Sequence, residues 1–146
     1  HVAVIEGDTE EILIRESLKR LPHMNYLKIV SDFEIVKARG KASIIGLVKY
    51  LVAMGIEPVV VHDRDQETEG ASKFNKPIEE SLHGTGRIVQ MHENVEQELG
   101  YEAPLTEKPL RAFRETLSWG DDWDGIPERW RLKMTEIFGH YIDDTV

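Results

Sequence analysis

Two short runs in this chain are apolar at every position: Val2-Ala3-Val4-Ile5 and Val59-Val60-Val61. A strand with one wet face alternates apolar and polar residues. A run without alternation predicts a strand buried on both faces, as in a parallel sheet covered by helices. The intervening segments fit that plan. Apolar spacing predicts a helix over 10–21, with Thr9 as its cap and Pro22 as its stop. Further strands read at 26–30, 34–38 and 87–91. Further helices read at 43–54, closed by Gly55, at 76–83, capped by Asn75, and, capped by Asn94, in a short stretch through Leu99. Strands alternating with helices over residues 1–100 define the fold class as α/β, with a mostly parallel central sheet flanked by helices. No strand signal follows. Helices at 109–117 and 127–142 flank a Trp/Asp/Gly loop at 119–125. We read residues 1–104 as one α/β domain and 105–146 as a small C-terminal helical appendage.

Composition narrows the function. The 146 residues include 18 Lys and Arg against 27 Asp and Glu, a formal net charge of -9. That balance argues against a protein that coats nucleic acid by bulk charge. It leaves open a nucleic-acid enzyme whose acids are committed to metal. There is no cysteine, hence no disulfide framework and no thiolate metal site. No apolar run approaches the ~18 residues of a membrane span, and no signal-peptide pattern is present. The expected location is cytoplasmic.

In open α/β sheets, ligands bind outside the carboxyl ends of the strands. All three such ends here carry acids. Glu6 and Glu10 follow the first strand. Glu10 falls in the first helical turn, and helical side chains lean toward the N-terminus, so its carboxylate points back toward Glu6. Asp63 and Asp65 follow the central strand; a spacing of two puts both on one side of an extended chain. Glu93 and Glu96 follow the last strand, around Asn94. Each alone has an ordinary structural explanation as a turn residue, a helix-dipole acid or a solvated helix residue. Together they form a cluster whose repulsion calls for compensation by hard divalent cations.

These residues resemble a Toprim domain, the topoisomerase–primase catalytic module. The resemblance rests on a hydrophobic strand ending in Glu6-Gly7 and a later strand ending in Asp63-Arg64-Asp65. Within Toprim proteins the chain is most similar to the nuclease region of the overcoming-lysogenization-defect (OLD) family. Glu10 lies four residues after Glu6. The middle segment reads Ala38-Arg39-Gly40-Lys41-Ala42-Ser43. Glu93-Asn94-Val95-Glu96 follows the last strand, and Lys108-Pro109 opens a late helix. The resemblance covers about residues 2–118.

It implies metal-dependent cleavage of DNA by a two-metal mechanism, with Mg²⁺ or Mn²⁺ as the ions. By carry-over, Glu6, Glu10, Asp63, Asp65 and Glu96 are metal ligands, and Lys108 adds positive charge at the scissile phosphate. Lys41, Arg64 and His62 are candidate contacts to phosphate or DNA. The family also implies an N-terminal ABC-type ATPase as a partner domain, and a homodimer is a further expectation. A Toprim ribonuclease is one alternative, since acids do not distinguish the sugar. An aspartate phosphotransfer or receiver-like domain with Asp63 as nucleophile is another. Trp119, Trp123 and Trp130 read as core residues of the appendage ahead of base-stacking platforms.

Overall fold

Both all-apolar runs are strands. In this computed structural model, which describes residues 1–143, they are β1 (Val2–Ile5) and β3 (Val59–His62). With β2 (Glu34–Lys37) and β4 (Arg87–Gln90) they form one sheet of order β2-β1-β3-β4. Every pairing is parallel. Val4 lies opposite Val36 on one side and Val60 on the other. The chain thus has the α/β architecture that its strand pattern predicts.

The described residues divide into two compact units, each built from two stretches of sequence: 1–7 with 33–94, and 8–32 with 95 onward. The first unit holds the sheet with α3 (Lys41–Ala53) and α4 (Asn75–Ser81). Val4 and Val60 from the sheet pack with Ile44, Val48 and Leu51 of α3 and with Ile78 and Leu82 near α4. The alternate strand residues Ala3, Ile5, Val59 and Val61 are buried as well. Both faces of β1 and β3 are therefore dry, which explains why neither strand alternates. Gly55, at φ 80, ends α3 as its C′ residue; the Ile56 N–H returns to the Leu51 carbonyl at 3.0 Å.

The second unit is helical. It contains α1 (Asp8–Leu18), α2 (His23–Asp32), α5 (Val95–Leu99), α6 (Lys108–Leu117), α7 (Glu128–Phe138) and α8 (His140–Asp143). Trp130, Met134, Ile137 and Phe138 of α7 are buried. The Trp130 indole N–H donates to the Ser17 hydroxyl at 2.8 Å, and Ser17 donates to the Leu13 carbonyl. Arg20 donates to the carbonyls of Gly120 and Thr116 and lies over the Trp119 ring. Trp119 and Trp130 are thus core residues.

Several sequence expectations are corrected. Thr9 does not cap the first helix; α1 begins at Asp8, which places Thr9 inside it. Residues 26–30 are not a strand; they lie inside α2. Pro22 starts this helix as well as stopping the previous one: the Asn25 and Tyr26 N–H groups both donate to its carbonyl. Of the apolar residues in 26–30, Ile29 is buried while Leu27 and Val30 are 44% and 50% exposed. One buried position per turn is helical spacing, and five residues, three of them β-branched or aromatic, were too short a window to show it. The single helix expected over 127–142 is two. Gly139, at φ 58, breaks it between α7 and α8.

Candidate metal centre and the loop that carries it

The topology of the first unit creates the crevice. From β1 the chain reaches β2 on one side; from β3 it reaches β4 on the other. Connections that diverge in this way leave a gap beyond the carboxyl ends of the two central strands. Glu6 follows β1 and Asp63 follows β3, directly at that gap. A carboxylate oxygen of each lies within 4.8 Å of the other. The Asp63 backbone N–H also points to Glu6 Oε2, at 3.4 Å.

The loop after β3 is held from both sides. Lys41 Nζ donates to the Asp63 carbonyl at 2.6 Å, to Asp65 Oδ2 at 2.9 Å and, at 3.4 Å, to the Arg64 carbonyl. Asn75 Nδ2 donates to the Arg64 carbonyl at 2.8 Å. From the other side, the Glu93 carboxylate accepts the N–H groups of Gln66 and Glu67, at 3.2 and 3.0 Å. The Glu93 carbonyl accepts the Asp65 N–H at 3.0 Å. Lys41 and Asn75 thus satisfy the loop's carbonyls while Glu93 satisfies its N–H groups. Such fixing has a purpose, since Asp65 sits at φ 52, a conformation that costs free energy for a residue with a Cβ.

Lys41 reaches this place because the β2–α3 turn is stitched to the end of β1. The Ala38 N–H donates to the Ile5 carbonyl and the Gly40 N–H to the Glu6 carbonyl, at 2.9 and 3.0 Å. Gly40, at φ 125, adopts backbone that favours glycine. Lys41 is then the first residue of α3, where the helix dipole disfavours a cation. The Asp65 carboxylate offsets that cost.

His62 is 1% exposed. Its Nδ1 donates to the Asp63 carbonyl at 2.8 Å. Burial lowers its pKa below the ordinary histidine value; the Asp63 hydrogen bond opposes that shift and the Lys41 charge adds to it. The ring is neutral and committed to the loop. Arg64, between the aspartates, is exposed.

The remaining sequence candidates belong to the second unit. Glu10, in the first turn of α1, and Glu96, in α5, are both buried. Both act on Tyr101, whose hydroxyl is shifted upward by burial first, then by the Glu96 charge, with a smaller part from Glu10. Arg111 lies over the Tyr101 ring, 4.1 Å from its centroid, and pairs with Glu115 at 2.8 Å. Lys108, the first residue of α6, is exposed.

The sequence reading missed two supporting roles. Glu93 was visible as an acid, but acids look alike in sequence whether they bind an ion or a backbone. Asn75 was read as the cap of a helix over 76–83. That helix begins at Asn75 itself, and the side chain is used on Arg64 instead. Its place three residues after β4, in a chain with Asp-x-Asp after another strand, is the one sequence signal that pointed to Glu93.

The donor set around Glu6 and Asp63 is carboxylate oxygen, which suits a hard divalent cation. Residues 1–65 match the family model for the overcoming lysogenization defect protein-like TOPRIM domain. That stretch holds Glu6, Glu10, Lys41, Asp63 and Asp65. Among solved structures, the C-terminal region of the OLD protein of Xanthomonas campestris pv. campestris is similar, at 16% identity and a TM-score of 0.48. The alignment covers 94% of this chain and 79% of that one. No curated protein matches the chain. Among the described residues, no helix is long and apolar enough to cross a membrane.

Proposed function

We propose, from the OLD-like TOPRIM segment at residues 1–65, that this chain is the catalytic part of a divalent-metal-dependent DNA nuclease. The observation that carries the reading is the approach of Glu6 and Asp63 to within 4.8 Å at the carboxyl ends of the two central strands. Two carboxylates held so close repel unless a cation is shared between them. Glu6 and Asp63 would hold Mg²⁺ or Mn²⁺, with Glu10, Asp65 and Glu96 as the further ligands that the family resemblance assigns. When bound, such ions activate water and neutralise charge on a phosphate undergoing in-line displacement.

The chain's own residues prepare that chemistry. Glu93 and Asn75 fix the 63–67 loop, so Asp63 needs little reorganisation when it ligates. His62, neutral and dry, holds the Asp63 carbonyl. Arg64 is exposed next to the acids and is suited to a phosphate of the bound strand. Lys108 is assigned to the scissile phosphate, where its charge would favour the transition state. Grip on DNA would come from elsewhere, since the chain carries a net charge of -9. An N-terminal ABC-type ATPase domain or a second copy would supply it.

Supercoiled plasmid incubated with the purified chain and Mg²⁺ or Mn²⁺ is expected to be nicked or linearised. Chelation should stop the reaction, and Asp63→Asn should lower the rate by about 10³-fold or more. Cleavage unaffected by Asp63→Asn would overturn the assignment. Cleavage of RNA in place of DNA would move the chain to the ribonuclease alternative. Labelling of Asp63 by a phosphoryl analogue would favour phosphotransfer.

A further inference from the structure

We propose that Lys41 is the resident cation of Asp65. It fills there the place that a second divalent ion fills in a two-ion site. The chain would then take one tightly held ion, and a second only by displacing this ammonium. The inference rests on the metal-dependent reading above and departs from its equal use of both aspartates.

The two members of the Asp-x-Asp pair have different surroundings. Asp63 approaches Glu6, carboxylate to carboxylate. Asp65 faces Lys41, with Nζ 2.9 Å from Oδ2. That pair is shielded from water: the side chains are 8% and 16% exposed. A shielded pair is screened little by solvent or salt. An ammonium has three N–H donors. Those of Lys41 meet the Asp63 carbonyl, Asp65 Oδ2 and, at longer range, the Arg64 carbonyl. Lys41 therefore has no donor left for a DNA phosphate while the loop stays as it is. Its position at the start of α3 makes the arrangement purposeful. Nothing at a helix N-terminus favours a cation, so Asp65 and the loop carbonyls are what hold it there.

An ion ligating Asp65 would stand against that ammonium, and two cations on one carboxylate repel. Entry of a second ion is thus linked to release of Lys41, and release frees its three donors for the substrate phosphate. Loading the second ion and gripping the strand become one event.

Isothermal titration with Mn²⁺, with Mn²⁺ paramagnetic resonance as a count of bound ions, tests this on the whole chain. The wild type is expected to bind one ion, with any second at least about tenfold weaker. Lys41→Gln keeps a donor for the loop carbonyls and removes the charge; it should bring the second ion to within a few-fold of the first. Asp63→Asn should weaken the first ion at least about tenfold, while Asp65→Asn changes it less than about threefold. Two ions of equal affinity in the wild type would overturn the inference and leave the metal reading standing. Equal losses from Asp63→Asn and Asp65→Asn would do the same. Absence of any bound ion would overturn both. If Lys41→Gln does not fold, the comparison of the two aspartate variants decides alone.

Discussion

The sheet unit and the helical unit commit their polar residues differently. In the first, the polar side chains of Lys41, His62, Asn75 and Glu93 are spent on a single loop, its backbone and Asp65. In the second, the polar contacts of Ser17 and Arg20 tie helices to one another around buried tryptophans. The first arrangement fixes the position of reactive groups, and the second fixes the packing of a core. The contrast teaches where to look for loss of function without loss of fold: among polar groups that bond a loop and contribute little to apolar burial.

The strongest challenge to this contrast is Trp130→Ala. The indole is fully buried, and its removal should lower stability by about 3–5 kcal/mol in thermal or urea unfolding. At low temperature the folded fraction should still bind Mn²⁺ with unchanged affinity. Loss of ion binding in the folded protein would break the separation of roles. Glu96→Gln sharpens it from the other side. If the helical unit contributes a ligand, ion affinity should fall about 10–100-fold with the melting temperature nearly unchanged. A change in melting temperature alone would make Glu96 a structural acid.

Glu93→Gln comes next. The amide leaves one of the two loop N–H groups without an acceptor, so cleavage should slow by about 10-fold, with KM little altered and kcat carrying the loss. A change confined to KM would mean that Glu93 serves substrate binding. Arg15→Ala should be nearly silent. Its pair with Glu11 is an exposed i,i+4 contact at 3.0 Å, worth about 0.3–0.5 kcal/mol, so the melting temperature should shift by no more than about 2 °C.

Much of the sheet unit could be read from sequence because its signals are local. β1 and β3 were evident from unbroken apolar runs, and the acids from their place directly after them. Gly55 was read correctly because a glycine after helical periodicity has one common use. The failures have physical causes too. Residues 26–30 form a helix because tertiary packing asks for Ile29 alone, which composition in a five-residue window does not reveal. The loop's wiring was hidden because Glu93 meets residues 66 and 67 only after the chain has made α4 and β4. Lys41 was expected to contact phosphate. Its bond to Asp65 depends on the turn at Arg39 and Gly40, both at positive φ, which sequence suggested for the glycine alone.

Each unit being drawn from two separate stretches has a consequence for how the protein is made. Of these elements β1 is made before the rest, but its neighbour β2 follows only after α1 and α2. α1 waits longer still, because it packs on α6. Non-local partners of this kind delay folding and leave apolar surface exposed in the interval. All four strands are present once residue 90 has emerged, whereas α1 has its partner only after residue 117. A chain stopped at residue 104 would therefore carry the whole sheet and every proposed ligand, yet leave Leu13 and Ile14 on a helix without its mate. We expect such a truncation to aggregate during synthesis, as an active-site sequence that cannot wait alone for the rest of its fold.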